Sequence, residues 1–297
     1  MILNELLAAC DVHVAGETFR LIDGRKLPPL QPLHLKRLLE EPRGHRGMRL
    51  CIILPSEIPE ADARLDFLDA YGNTAFVEHG LIAVATLLAE LYGMPKRRYG
   101  FEHGGKIYTV DMDYNAINEE VVTVAYTQPL GKKLTSEAFP PGFADVFEDQ
   151  TCIAVVDIAP FHLHLTNHDP HAIKKLSVQW FTERKEDAAK SVKRLVFFEK
   201  SDDGFYTYMT WDEFGRVDRS PYLGAAVFSG FLYHNGSIKC QEPYELVNFL
   251  GHRVEGVITR SPNGLQVTVK GKGMVIATHQ FFIDPNDPLK DGFLLKE

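Results

Sequence analysis

The chain has 297 residues, of which 45% are hydrophobic and 24% are charged, and its formal net charge is −8. This length predicts a globular protein of about two domains, and the acidic balance argues against broad nucleic-acid binding, which needs clustered positive charge. No apolar run reaches about 18 residues, so no membrane span is expected. The four cysteines are widely scattered and predict neither a disulfide framework nor a zinc site. We therefore expect a cytoplasmic protein with reduced thiols.

Short runs of β-branched and aromatic residues predict strands along most of the chain. Residues 132–142, which include the pair Pro140-Pro141, are predicted to connect two halves of the molecule. Residues 254–259 and 265–269 flank an Asn-Gly step, which predicts a β-hairpin. In chain order the other predicted strands cover residues 50–54, 107–110, 121–126, 152–158, 194–199 and 205–209.

Two buried helices are predicted among these strands. Residues 77–92 are apolar nearly all round, which is typical of a buried helix, and Gly93 and Pro95 follow as stop signals. Residues 223–233 form a second apolar segment. A single helix among strands thus occurs twice along the chain. This arrangement indicates an α+β protein of two similar lobes, each a mostly antiparallel sheet wrapped around a central helix.

Several short motifs follow one another along the chain. Residues 76–80 read F-V-E-H-G and residues 218–224 read D-R-S-P-Y-L-G. These segments resemble the active-site signatures of the proline racemase and 4-hydroxyproline epimerase family, M-C-G-H-G and D-x-S-P-C-G-T-G. Four further segments resemble the same family in the same order: D-x-H-T-x-G-E-x-x-R at 11–20, with Val14 at the place of the threonine, P-R-G-H-x-x-M at 42–48, A-D at 61–62, and D-P with a later G-F at 287–293.

The resemblance implies the two-lobed fold of diaminopimelate epimerase, with an active-site cleft between the lobes. We predict an N-terminal lobe at residues 1–130, with 280–297 packing back on it, and a C-terminal lobe at 131–279. In such a fold each central helix points its N-terminus at the cleft, where free N–H groups and the positive helix end bind a substrate carboxylate. The family needs no cofactor and no metal, and the resemblance implies a homodimer that binds a small carboxylate.

The departures from the family concern its chemistry. In the family, one cysteine on each face of the substrate acts as acid or base, and Val77 and Tyr222 stand at those positions. Glu78 replaces a glycine whose N–H binds the carboxylate, and its bulk and negative charge should weaken that binding. Relatives that dehydrate 3-hydroxyproline keep one of the two cysteines, whereas this chain lacks both. Ordinary two-cysteine racemisation is therefore not expected.

The candidate site residues each have a catalytic and a structural interpretation. Glu78 is a general base or only a helix cap, and His79 positions a substrate or carries a proton. Asp218 binds a substrate amine or holds the turn before Pro221, and Tyr222 is an acid or fills vacated space. The candidates for catalysis are Glu78, His79, Asp218 and Tyr222, and those for substrate binding are Gly80, Leu223 and Gly224.

A group of histidines at positions 162, 164, 168 and 171 raises a separate possibility. His162 and His164 would share one face of a strand, at a spacing that suits metal ligands. A histidine group at the edge of a loop is also common without any metal, and the resemblance implies none.

Two functions from different classes follow. The first is a cofactor-independent isomerase, epimerase or lyase that acts on a small carboxylate such as a proline or hydroxyproline derivative, with Glu78 and His79 or Asp218 in place of thiols. The alternative is a catalytically inactive protein of the same fold that binds a ligand or regulates another protein.

Overall fold

The computed structural model describes residues 6–28, 35–45, 47–72, 76–148, 152–165, 170–183, 192–202, 204–222, 224–282, 284 and 286–294. Two residues of the sequence analysis, His168 and Leu223, lie outside these ranges. The chain divides into unit 1, which is Met1–Ala125 with Gly271–Glu297, and unit 2, which is Tyr126–Lys270.

Strands dominate the described residues, with three α-helices placed among them. None of the helices in this part of the chain has the length and apolar character that crossing a bilayer requires. In chain order the elements are β1 (Leu6–Val14), β2 (Glu17–Asp23), β3 (Arg49–Leu54), β4 (Ala63–Asp69), α1 (Glu78–Glu90), β5 (Arg98–His103), β6 (Lys106–Asn115), β7 (Glu120–Pro129), β8 (Lys132–Phe139), β9 (Gly142–Glu148), β10 (Cys152–Asp157), α2 (His171–Glu183), β11 (Val192–Lys200), β12 (Tyr206–Asp212), β13 (Val217–Asp218), α3 (Ala225–His234), β14 (Pro243–Asn248), β15 (Arg253–Ser261), β16 (Gly264–Gly271) and β17 (Gly273–Phe282).

The two units repeat one series of strand pairings. In unit 1, β17–β1 and β1–β2 are antiparallel, β2–β3 is parallel, β3–β4 is antiparallel, β4–β5 is parallel and β5–β6 is antiparallel. In unit 2, neighbouring strands pair with the same directions in the same order along the series β8, β9, β10, β11, β12, β14 and β15. The central helix follows the fifth strand of each series, because α1 follows β4 and α3 follows β12 and β13. The predicted pair of similar α+β lobes is confirmed.

Each central helix approaches its sheet through a glycine. In unit 1, Gly273 of β17 donates its N–H to Thr86 Oγ1 of α1 at 3.2 Å, and a Cβ on Gly273 would lie only 2.9 Å from that oxygen. In unit 2, a Cβ on Gly230 of α3 would lie 2.3 Å from the carbonyl oxygen of Gly131, just before β8. Every residue from Glu78 to Ala89 of α1 is buried, as the all-round apolar pattern predicted.

The hairpin prediction was confirmed, whereas the predicted connection was wrong. Strand β15 pairs with β16 through a turn closed by Ser261 and Gly264. Residues 132–142, however, form β8 and the turn into β9, an antiparallel hairpin inside unit 2. Exposed positions alternate with less exposed ones along β8, which is the period of a strand. The Pro140-Pro141 pair lies in the turn, where prolines interrupt no ladder hydrogen bond.

The predicted strand face that carries His162 and His164 was also wrong. Residues Ala159–Phe161 form a 3-10 turn, and His162 follows it in the left-handed region at φ +55°. His164 Nδ1 lies 2.5 Å from Glu199 Oε1, on an exposed edge. Within the described ranges, no three side chains of His, Cys, Asp and Glu come together as a metal-binding group.

The N-terminal motif forms a buried ion pair in unit 1. Arg20 donates from Nε and Nη2 to the two carboxylate oxygens of Asp11, both at 2.9 Å. Its Nη1 donates to the carbonyl oxygens of Leu38 and Arg43, both at 2.6 Å. His279 Nε2 lies 2.8 Å from Asp11 Oδ2. One guanidinium therefore joins β1 and β2 to the loop that precedes β3.

The motif residues near both chain ends hold that loop against the C-terminal segment. Arg43 Nη2 lies 3.0 Å from Asp287 Oδ2. Glu41 and Phe293 exchange both backbone hydrogen bonds, at 3.0 and 3.1 Å. Gly292 lies between these contacts at φ +74°, and a Cβ there would lie 2.9 Å from Glu40 Cβ. The P-R-G-H and D-P…G-F motifs thus have a structural explanation.

We predict that Arg20→Lys lowers the free energy of unfolding by about 3 kcal/mol, because a lysine cannot make the two-pronged pair with Asp11 and also reach two carbonyls. Urea denaturation followed by circular dichroism measures the change. Arg98→Lys is the matched control, since Arg98 pairs with Asp111 on the surface and both side chains are more than half exposed. No measurable loss is expected there, and equal losses in the two variants would contradict the prediction.

Candidate active site

Helix α1 begins without a side-chain cap. Val77 is the N-cap residue in an extended conformation (φ −133°, ψ 108°), and its side chain makes no capping hydrogen bond. The N–H of Gly80 donates to the Val77 carbonyl oxygen at 3.0 Å. Valine carries no oxygen that could accept from the first-turn N–H groups. The position of Val77 is therefore buried and apolar.

Glu78 is the first residue of α1 and the acidic residue of its first turn. Only 7% of its surface is exposed. A carboxylate at this end of a helix interacts favourably with the positive end of the helix dipole. Glu78 thus combines a buried carboxylate with a helix N-terminus, whose positive end stabilises the ionised form.

The next two residues seat the first turn on aromatic rings. His79 has no exposed surface, and its ring meets Phe19 edge-on, with centroids 5.0 Å apart and planes at 74°. A Cβ on Gly80 would lie 2.4 Å from Phe67 Cε1, so no side chain fits there. Packing therefore explains Gly80, and it fixes the ring of His79 against Phe19. Substrate roles for His79 and Gly80 remain predictions.

An aromatic group that the sequence analysis missed precedes Glu78. Phe76 stacks on Tyr108 with centroids 4.0 Å apart and planes at 21°, and its ring lies 5.5 Å from that of His103. His103 Nδ1 lies 2.8 Å from the Leu65 carbonyl oxygen. These contacts hold the chain that enters α1. The sequence did not predict this aromatic group because its three rings come from separate parts of the chain.

In unit 2, Asp218 makes the turn that precedes α3. Its Oδ1 accepts the N–H of Ser220 at 2.9 Å, and Ser220 Oγ accepts the N–H of Tyr222 at 3.3 Å. Asp218 and Ser220 are both buried. This is the hydrogen bond that the turn-holding interpretation of Asp218 requires. Its role toward a substrate amine remains a prediction.

Tyr222 lies inside unit 2 with 4% of its surface exposed. Its hydroxyl donates to the Lys270 carbonyl oxygen at 3.2 Å. Burial raises the pKa of the Tyr222 phenol well above its usual value, which makes it a poor acid or base near neutral pH. These features favour the space-filling interpretation over the catalytic one.

Gly224 caps α3 in place of a side-chain cap. It adopts φ +77°, a conformation that favours glycine, and a Cβ there would lie 3.0 Å from Val196 Cγ2. Its carbonyl oxygen accepts the N–H of Phe228 at 2.8 Å, and Ala225 N–H donates to the Tyr222 carbonyl oxygen at 3.1 Å. The backbone conformation therefore requires this glycine, whatever it does for a substrate.

The four cysteines of the chain all lie outside the two motifs. Cys10 and Cys51 are buried in β1 and β3, and burial raises the pKa of both thiols. Cys152 begins β10, and Cys240 follows α3 with its Sγ 3.5 Å from the Ile258 carbonyl oxygen. A reactive thiolate needs a lowered pKa, so Cys10 and Cys51 are unsuited to acid–base work.

Comparisons with known proteins concern the chain as a whole. A family model described as proline racemase matches residues 160–294. A trans-3-hydroxy-L-proline dehydratase of Bacillus thuringiensis subsp. konkukian is 30% identical over 344 aligned residues, which cover 99% of this chain and 100% of that protein.

Two solved structures have a similar fold. A probable proline racemase from Agrobacterium radiobacter K84, with bound carbonate, has a TM-score of 0.80 at 21% identity and covers 97% of this chain and 96% of its own. A hydroxyproline epimerase from Agrobacterium vitis, with bound trans-4-hydroxy-L-proline, has a TM-score of 0.78 at 21% identity and covers 98% of this chain and 95% of its own.

We predict that Tyr222→Phe leaves turnover unchanged and lowers the free energy of unfolding by about 1 kcal/mol, because the hydrogen bond to Lys270 is lost. Steady-state kinetics and urea denaturation measure the two effects. Tyr71→Phe, at an exposed tyrosine of unit 1, serves as the control for removal of a phenol oxygen. Loss of turnover in Tyr222→Phe alone would make Tyr222 a catalytic acid.

We also predict that Tyr222→Phe changes how the stability of the protein depends on pH in the alkaline range. An unfolded tyrosine ionises near pH 10, whereas burial raises the pKa of Tyr222 in the folded protein. The resulting stability is present below about pH 10 and is lost as the pH rises above it. Denaturation midpoints should therefore fall more steeply above pH 10 in the wild type than in Tyr222→Phe, and parallel curves would contradict this.

Proposed function

The chain belongs to the proline racemase family, and from this we propose that it is a cofactor-independent enzyme acting on a proline or hydroxyproline derivative. The reaction begins with removal of the proton from the carbon next to the substrate carboxylate. Glu78 is the proposed base, in place of a thiol. The observation that carries the proposal is the burial of this carboxylate in the first turn of α1, next to the place of the lost cysteine.

One base favours elimination over racemisation. Racemisation needs a base on one face of the α-carbon and an acid on the other. The first motif supplies Glu78, but in the second motif Tyr222 is buried and donates its hydroxyl to Lys270. Elimination of water needs one base and a leaving hydroxyl on the neighbouring carbon. We therefore propose a lyase reaction on a 3-hydroxyproline derivative, the kind of substrate for which the Bacillus thuringiensis relative is named.

The proposed reaction balances without an oxidant or a reductant. Glu78 takes the proton from Cα, and the electron pair of the broken C–H bond forms a double bond to Cβ. The C–O bond at Cβ breaks, and the hydroxide leaves as water with the proton that Glu78 has taken up. The organic product is an enamine that keeps the carboxylate. The Cα proton and the Cβ hydroxyl together account for the one water released.

A second candidate function is a ligand-binding or regulatory protein without catalysis. Two observations favour it: His79 has no exposed surface, and Tyr222 fills the interior of unit 2. Such a protein would bind a small carboxylate without exchanging its α-proton. For either function we propose a homodimer, which the family resemblance implies, and a cytoplasmic location, which the scattered cysteines favour.

We expect Glu78→Gln to lower the turnover of trans-3-hydroxy-L-proline by about 100-fold or more, because general base catalysis contributes at least that much. The amide keeps the shape of the side chain but cannot take a proton. Chromatography of the dehydrated product measures the rate, and circular dichroism confirms that the variant is folded.

Glu90→Gln is the matched control on the same helix. Glu90 is the last residue of α1, and its Oε1 accepts the N–H of Val121 at 2.8 Å, a bond that a glutamine oxygen can keep. We expect turnover to stay within about twofold of the wild type. Full activity in Glu78→Gln would remove Glu78 from the mechanism, whatever Glu90→Gln does.

A further inference from the structure

The segment in front of α3 is held from two neighbouring strands. Tyr208 of β12 and Asn248 of β14 are direct partners in the parallel ladder of unit 2. The hydroxyl of Tyr208 donates to the carbonyl oxygen of Pro221. The side-chain amide of Asn248 donates to the carbonyl oxygen of Arg219. Two paired side chains therefore bind two carbonyls that are only two residues apart.

Asn248 is itself fixed in orientation. It is buried, and its Oδ1 accepts the N–H groups of Leu250 at 3.1 Å and His252 at 2.8 Å. With the oxygen engaged by two N–H donors, the amide nitrogen has to face the other way, toward Arg219. The turn between β14 and β15 thus aims this donor at the segment before α3.

Tyr208 joins the same segment to the helix. Its ring packs against Phe228 of α3, with centroids 4.8 Å apart and planes at 40°. The N–H of Phe228 donates to the carbonyl oxygen of Gly224, the cap of α3. Tyr208 therefore contacts α3 through its ring and the preceding segment through its hydroxyl, so it relates the positions of the two.

We propose that Tyr208 and Asn248 are positioning residues, which together form a clasp that fixes residues 218–222 against the start of α3. The clasp donates hydrogen bonds to the carbonyl oxygens of Arg219 and Pro221. Within the segment, Asp218 and Ser220 accept hydrogen bonds from backbone N–H groups. Because both the carbonyl and the N–H groups of the segment are hydrogen-bonded, the segment is held in one conformation, and Asp218 is held with it. The catalytic role of the clasp rests on the proposed function, whereas its structural role in fixing the segment does not.

Titration of the Tyr222 phenol tests the clasp without any substrate. Ultraviolet difference spectra of Tyr208→Phe against Tyr208→Phe/Tyr222→Phe isolate one phenol among the 11 tyrosines of the chain. The wild type against Tyr222→Phe gives the reference. We expect the clasp variant to titrate at least about one pH unit lower, toward the ordinary value near 10, because the loosened segment admits water to Tyr222. An unchanged titration overturns the proposal.

Tyr244→Phe is the matched control. Tyr244 is also buried in unit 2, and its hydroxyl donates to Ser229 Oγ of α3 at 2.6 Å, outside the segment. Its removal should leave the Tyr222 titration where it is, and an equal shift in both variants would overturn the clasp in favour of general loosening. If Tyr208→Phe does not fold, Asn248→Ala removes the other half of the clasp and the same titration decides.

Turnover separates this inference from the proposed function. With an active wild type, we expect Tyr208→Phe to lower kcat about tenfold with little change in KM, as loss of one hydrogen bond allows, and Tyr244→Phe to keep both. An unchanged kcat with a shifted Tyr222 titration would restrict the clasp to structure and overturn its catalytic role. An inactive wild type would contradict the proposed function alone, since the titration still decides the clasp.

Discussion

The first turn of α1 lies so close to Phe67 that a Cβ at Gly80 would come within 2.4 Å of its ring. This contact sets how deeply the helix enters unit 1, and the edge-on contact of His79 with Phe19 sets its rotation. With depth and rotation fixed, Glu78 is confined to a buried position at the start of the helix. The position of the candidate base therefore depends on packing.

The family motifs divide between residues that hold the fold and residues that carry chemistry. Arg20 with Asp11, and Arg43 with Asp287, tie loops and the C-terminal segment together in unit 1, and Gly80 and Gly224 occupy positions where a side chain does not fit well. These residues are present here. Val77 and Tyr222 stand where the resemblance implies the two cysteines of the family. The proposed function therefore uses a different proton carrier, Glu78.

Local patterns predicted the elements, whereas contacts between distant residues escaped prediction. Helix α1 and the hairpin of β15 and β16 follow from an apolar run and an Asn-Gly turn, which act over a few residues. The error at residues 132–142 came from giving a proline pair more weight than the alternation in β8. The Tyr208–Asn248 clasp depends on a parallel pairing between two residues 40 positions apart in the chain, which no local sequence pattern predicts. The same is true of the carbonyl partners of Arg20.

Proton NMR of the wild type in D2O, with trans-3-hydroxy-L-proline and L-proline in separate samples, tests the central claim most directly. One non-thiol base and no partner acid predict that the 3-hydroxyproline loses its Cα proton and its hydroxyl, while L-proline keeps its configuration whether or not its Cα proton exchanges. Deuterium at Cα in both enantiomers of proline would contradict this, because it requires acid–base groups on both faces. No change in either sample would contradict the lyase and favour a protein that only binds its ligand.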